Sequence, residues 1–206
     1  MDNGLCNIGS VVNMLNRLGV PSLVISNGTA GWGGLHGLIL PGVGNFGFGM
    51  DALKTRGLDR FVREANETGL PLLGICLGMQ LLAKYSEESD CEGLGLIDAR
   101  VQRFDRTSPL VRTVPNMGWS KTKFLRKSPL CEERLTQQRF YFVHSYHVVC
   151  NSLTDELAVS RNGEFEFTAA VSNGTVFGCQ FHPEKSHNFG KAVLSGFCNL
   201  AMNCNV

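Results

Sequence analysis

The sequence predicts an α/β fold, a parallel sheet covered by helices with further strands added. Three observations predict it. Up to about residue 85, helix-period and strand-period segments alternate with short loops between them. From about residue 94 the chain reads as one strand after another until a last helical segment. Among the 24 glycines in 206 residues, those at 41–50 and 74–78 stand directly behind or inside an apolar run, which suits tight turns at strand ends.

The elements follow in order. Val11, Leu15 and Leu18 recur at helical spacing, with Val12 and Met14 beside them, and Gly19 stops the pattern; this predicts a helix over about 8–18. SLVIS (22–26) and GLIL (37–40) read as strands, and PGVGNFGFGM (41–50) as a glycine-punctuated loop behind the second. Leu58, Phe61, Val62 and Ala65 predict a helix over about 58–68. PLLGI (71–75) is a strand and LGMQLLAKY (77–85) returns to helical period. LGLIDARVQRF, WSKTKFL, RFYFVHSYHVVC, ELAVS, FEFTAAV and TVFGCQF then read as strands, and a helix over about 187–201 follows. No repeat, low-complexity stretch or linker interrupts the chain, so residues 1–206 are read as one domain.

Composition excludes several classes of function. Nineteen basic against 18 acidic residues leave no surplus to grip a nucleic-acid backbone. No uninterrupted apolar run is long enough to cross a membrane. The eight cysteines, at 6, 76, 91, 131, 150, 179, 198 and 204, form no C-x-x-C pair, which argues against a zinc ribbon. Residues 1–20 lack a basic start followed by an apolar stretch, so the expectation is a reduced, cytoplasmic protein with mostly inert thiols.

One thiol stands apart. In GICLGMQ (74–80), Cys76 lies between an apolar strand and a helix, flanked by Gly74 and Gly78. This is a nucleophile elbow with cysteine in place of serine: the sharp turn lifts the sulfur above the sheet, over a helix N-terminus that favours thiolate. The Leu77 N–H is placed to meet an oxyanion. The motif alone equally fits a buried cysteine in an ordinary βα turn. A base shifts the balance. TVFGCQFHPEKS (175–186) is a strand ending in His182, Pro183 and Glu184. Pro183 keeps His182 extended, and Glu184 is close enough to hold one imidazole N–H while the other nitrogen faces a thiol. The segment is extended and no further acidic or histidine cluster converges, so a metal site is not expected.

Together these segments resemble the class I, triad-type glutamine amidotransferases. GICLGMQ is similar to the family's nucleophile segment and FHPEKS to its His–Glu segment, in the same order along the chain. PGVG followed by Phe46, Gly49 and Met50, with NMGW (116–119), YFVHSY (141–146) and QFHPEKS (180–186), is similar to the branch of glutaminase subunits of imidazole glycerol phosphate synthase. The resemblance spans nearly the whole chain. It implies a flavodoxin-like, open and mostly parallel sheet with added antiparallel strands. It implies a Cys76–His182–Glu184 triad that releases ammonia from L-glutamine without a cofactor. The oxyanion hole would combine the Leu77 N–H with a backbone N–H in 41–44, that of Val43, after a peptide flip eased by the glycines at 42 and 44. Gly44, Gln80, Glu88, Ser145 and Tyr146 would hold glutamine. A (β/α)₈-barrel cyclase subunit would receive the ammonia, with Asn7, Asn116, Trp119 and Lys185 at the interface. Read without the resemblance, Glu88 is a solvated carboxylate, Trp119 a core residue, Lys185 a surface lysine and Asn7 a helix cap.

The sequence departs from the family in two places. Asn116 stands where relatives carry His or Gln before MGW. Relatives also begin with a short apolar strand leading into D-x-G-x-G-N, whereas here Met1 is followed at once by DNGLCN, with Cys6 for the last glycine. The expectation is a central first strand missing or truncated, a native start a few residues upstream, and a gap in the core. Competing functions are a paralogue supplying ammonia to a sugar-modifying amidotransferase of surface-polysaccharide synthesis, a related cysteine hydrolase, and a non-enzymatic binding module.

Overall fold

The structure is a computed structural model that describes residues 1–2, 4, 8–29, 31, 33–131 and 137–204. In chain order the elements are α1 (Ile8–Arg17), β1 (Leu38–Gly42), α2 (Phe46–Thr55), α3 (Leu58–Glu67), β2 (Leu72–Cys76) and α4 (Leu77–Leu81). The strands β3 (Ala83–Ser86), β4 (Cys91–Glu92), β5 (Ile97–Arg103), β6 (Asn116–Phe124), β7 (Gln138–His144) and β8 (Tyr146–Cys150) follow. The chain continues through β9 (Glu156–Asn162), β10 (Phe165–Asn173), β11 (Val176–Cys179) and α5 (His187–Asn203).

The main path of the sheet runs β1-β2-β11-β10-β8-β5-β3-β4, and β9, β6 and β7 branch from β10. Pairings β1–β2, β2–β11 and β3–β5 are parallel. The parallel core that the sequence predicts is thus the β1–β2–β11 group, and the added antiparallel strands carry more of the sheet than expected. Successive side chains of a strand point to opposite faces, which divides the core in two. Leu72 packs with Phe46, Met50, Leu58 and Phe61 of α2 and α3 on one face. Leu73 and Ile75 pack on the other with Val11 and Leu15 of α1 and with Val193 and Phe197 of α5.

Four predicted elements are corrected. Residues 22–26 form no ladder; Ile25 is buried, while Leu23 and Val24 are exposed. Residues 46–50 belong to α2 rather than a loop, because the Asn45 side chain accepts the Phe48 N–H and caps the helix. The helix predicted over 77–85 stops at Leu81. Beyond it the carbonyls of Leu82, Ala83 and Lys84 accept N–H bonds from residues 93–97, so sheet pairing replaces the helical i→i+4 bonds. The run at 139–150 breaks at Ser145 into β7 and β8.

No strand pairs with β1 on its outer side among the described residues. The Met1 amine donates to the Ile39 carbonyl at 2.7 Å, and the Asp2 N–H donates to Ile25 O at 2.8 Å. These bonds alternate sides as strand positions do. Beside them lies a cavity of about 860 Å³, lined by Val11, Leu15, Ile25, Ile39 and Phe197 among others.

Candidate active site

Three neighbouring strands deliver the site. In the parallel register Gly42 sits beside Cys76, and Cys179 beside Ile75. The ends of β1, β2 and β11 therefore open on the same sheet edge, where sites of open α/β sheets form. The central strand supplies the sulfur, β1 leads into the glycine loop, and β11 leads into His182.

Cys76 is buried and holds φ 55°, ψ −112°, a conformation that L-residues rarely adopt. The turn exists because nothing larger than hydrogen fits at its corner. A Cβ on Gly78 would stand 1.7 Å from the Leu40 carbonyl oxygen, and one on Gly74 would stand 2.7 Å from the Gly78 backbone. Leu77 opens α4 directly behind the sulfur. On the β1 side Val43 is 42 % exposed, and Gly44 holds φ 104° with open space around it. This loop is fastened at its far end: Glu88 Oε2 accepts the Phe46 N–H at 2.8 Å and Ser89 Oγ accepts the Gly47 N–H at 3.1 Å. Glu88 is therefore half-buried and bonded rather than a solvated carboxylate.

On the β11 side the His182 backbone is clamped. Its N–H donates to Tyr141 O at 2.9 Å, and its carbonyl accepts the Ser186 hydroxyl at 2.7 Å. Nδ1 lies 2.7 Å from Glu184 Oε1, with side chains only 2 % and 8 % exposed. Nε2 has no hydrogen-bond partner of its own within the described residues. Burial alone would lower the imidazole pKa, but the nearby Cys76 sulfur and the Nδ1 bond to the Glu184 carboxylate outweigh it and raise the pKa to about 9. His182 therefore carries its proton at neutral pH.

A pH dependence of stability follows. A folded-state pKa raised from 6.5 to about 9 adds stability that is complete below pH 6.5 and lost as pH climbs through 9. Melting temperature measured across this window should fall for the native chain and fall less steeply for Glu184→Gln, which removes the carboxylate charge.

Five other thiols are held neutral. Burial pushes Cys150 up to about 12 and Cys179 far upward, and it also raises Cys91, Cys131 and Cys198. Among the described residues no group of three or more His, Cys, Asp or Glu could hold a metal ion.

The other predicted residues divide. Gln80 is buried beside the site, donating from Nε2 to Tyr146 O at 3.1 Å and to Gln180 Oε1 at 2.9 Å. Ser145 sits half-buried at the β7–β8 break, its carbonyl accepting the Phe104 N–H. Trp119 is 42 % exposed rather than a core residue; it stacks on His187 with the rings 6° apart. Lys185 is exposed, 5.7 Å from the Tyr141 ring, and Met117 is exposed on the same strand as Trp119. Asn116 points inward instead: it is 1 % exposed, with its amide 3.0 Å from His144 Nε2, so it lies behind this surface and not on it. Asn7 lies outside the described residues.

Sequence reasoning missed Ser186, His144 and Gln180. Ser186 closes the His182 clamp from both sides, since its oxygen also accepts the Tyr141 N–H at 3.0 Å. The available signal for Gln180 was its spacing: two residues before His182 in an extended run, it shares that residue's face.

The family model for class-I glutamine amidotransferases matches residues 1–199. A protein of Methanococcus maripaludis named imidazole glycerol phosphate synthase subunit HisH 2 is 42% identical over 208 residues, covering 98% of this chain and 98% of its own length. A Geobacillus kaustophilus protein named imidazole glycerol phosphate synthase subunit HisH is 43% identical over 204 residues, covering 98% and 95%. Among solved structures, a glutamine amidotransferase from Thermotoga maritima superposes with a TM-score of 0.68 at 14% identity, covering 97% of this chain and 96% of that one.

Proposed function

The chain belongs to the class-I glutamine amidotransferases, and from that premise we propose that it is the glutaminase subunit of an imidazole glycerol phosphate synthase. It hydrolyses L-glutamine to glutamate and ammonia in the cytoplasm. A (β/α)₈-barrel cyclase subunit takes the ammonia for the histidine pathway. The observation that carries this reading is the strained Cys76 turn, set between the 41–44 loop and the His182–Glu184 pair.

The Cys76 thiolate, its proton carried by His182, attacks the side-chain amide carbon of glutamine, and the carbonyl π-electrons move onto oxygen. The Leu77 N–H at the start of α4 meets that oxygen, and the Val43 N–H is the second donor once its peptide turns inward. The open space around Gly44 gives the turning peptide room. His182 delivers its proton to the departing nitrogen, and the C–N bond breaks to give ammonia and a γ-glutamyl thioester. His182, now neutral, takes a proton from water, and the hydroxide displaces the sulfur to yield glutamate. Glu184 holds Nδ1 throughout, fixing the tautomer that presents Nε2 to the sulfur. Glu88 has one oxygen bound at Phe46 and one left to meet the α-ammonium of glutamine.

Free ammonia in water becomes ammonium and diffuses away, so turnover is best coupled to the partner. The exposed Met117, Trp119, His187 and Lys185 beside the site form a surface that fits such a partner, and the Val43 peptide is a gate that docking can set. The test is a glutaminase assay with and without the cyclase subunit. The cyclase should raise turnover by about tenfold or more, the effect of one interaction gained only in the transition state. A glutamine-analogue electrophile should label Cys76 alone. No turnover in either state, or labelling spread over several cysteines, would overturn the reading.

A further inference from the structure

We infer that Gln180 is a further catalytic residue, a hydrogen-bond donor that anchors the Cys76 sulfur and is oriented by a buried relay starting at the Tyr146 carbonyl. The inference rests on Cys76 being the nucleophile. Gln180 is completely buried, and its backbone N–H is fixed to Ala169 O at 2.9 Å. Its side-chain Nε2 lies 3.7 Å from Cys76 Sγ, within reach of a sulfur acceptor.

The direction of that bond is forced. A backbone carbonyl only accepts, so the Gln80 group facing Tyr146 O must be its nitrogen, at 3.1 Å. That same nitrogen faces Gln180, so Gln180 must present its oxygen there, at 2.9 Å. Gln180 is thereby left with its N–H pointing at the sulfur. The other side of the carbonyl is set in the same way. His144 Nδ1 lies 2.7 Å from Tyr146 O and must donate; Nε2 then accepts from the Asn116 amide at 3.0 Å. Burial drives the His144 pKa down to about 3, so the ring stays neutral and keeps this single tautomer. Asn116, His144, Gln80 and Gln180 are each at most 7 % exposed, so water does not compete for the bonds.

A donor of fixed sign acts differently on the two forms of the sulfur. It strengthens as negative charge collects there and fixes the lone pair that attacks. Gln80 gains a role as well: both protons of its amide are used inside the protein, which leaves only Oε1 for substrate.

The test compares Gln180→Glu with Gln180→Met in the full chain with its cyclase partner. Glu, compared at the alkaline end of the activity profile where its carboxyl is ionised, keeps the shape and the acceptor for Gln80 but places a charged oxygen where the donor was; Met removes both. A donor role predicts that kcat falls about 10- to 100-fold in Met, with KM within about threefold, the loss of one hydrogen bond to a charged group. It predicts that Glu is slower still, and that iodoacetamide alkylates Cys76 more slowly in both variants than in the native chain. A purely structural role predicts the reverse order, with Glu the more active because it keeps the relay. Glu equal to or faster than Met, or native-like alkylation in folded variants, would overturn the inference. Absence of turnover in the native chain would instead sink the proposed function, and the alkylation order would still read the bond.

Discussion

Replacing Cys76 by alanine should cut glutamine turnover by about 10⁴-fold or more, to the level left when a nucleophile is removed from a triad enzyme. The Cys91, Cys131, Cys150, Cys179 and Cys198 thiols are held neutral by burial and do not replace the Cys76 sulfur. The loss must be chemical and not a loss of fold, and the backbone supplies the control. At φ 55° a Cβ is strained whatever it carries, so Cys76→Gly should melt higher than Cys76→Ala by about 1 kcal/mol, the reverse of the usual order in a buried turn. Both variants should be inactive in a steady-state glutaminase assay. Turnover surviving in either would remove Cys76 from the mechanism, and an alanine variant melting above the glycine variant would remove the strain.

The second large effect is on stability. Gly78→Ala puts a methyl group 1.7 Å from the Leu40 carbonyl oxygen. That oxygen belongs to β1, which is held in parallel register with β2 from Leu38 to Gly42, so it cannot retreat without opening the sheet. Overpacking that a flexible side chain would absorb for 1–3 kcal/mol therefore costs more here, about 3 kcal/mol or above. For a domain of this size that lowers the melting temperature by about 10 °C. Gly33→Ala meets open space and should change it by about 1 °C or less. A Gly78→Ala variant melting like the native chain would mean the turn is looser than the geometry shows.

The site was legible in the sequence to the extent that it is local. A glycine on each side of Cys76 and a proline after His182 are statements about the backbone within a few residues, and they stand in the structure as a strained turn and a clamped extended histidine. Helices α1, α3 and α5 were legible for a related reason: each shows its apolar stripe within one continuous segment. What failed did so where a distant partner outcompeted a local preference. LGMQLLAKY has helical spacing throughout, yet residues 83–86 pair with β4 and β5. SLVIS has strand composition, yet among the described residues it joins no ladder and takes one backbone bond, from the Asp2 N–H to Ile25 O. Asn116 departs from its expected interface position because its strand, β6, turns it inward to His144 while Trp119 faces out to His187.

The sequence by itself carried the motifs of a Cys76–His182–Glu184 triad, their order along the chain, and the family the chain belongs to. Each depends on residue type at short spacing, which the chain carries whether folded or not. Only the tertiary structure decided what surrounds the sulfur. The bonds that orient it join Gln80 to Gln180 and Gln180 to Cys76 across 100 and 104 residues, and Asn116 to His144 across two strands. Their direction is set by one carbonyl that can only accept, at Tyr146, and no spacing along the chain encodes which side chains will meet it.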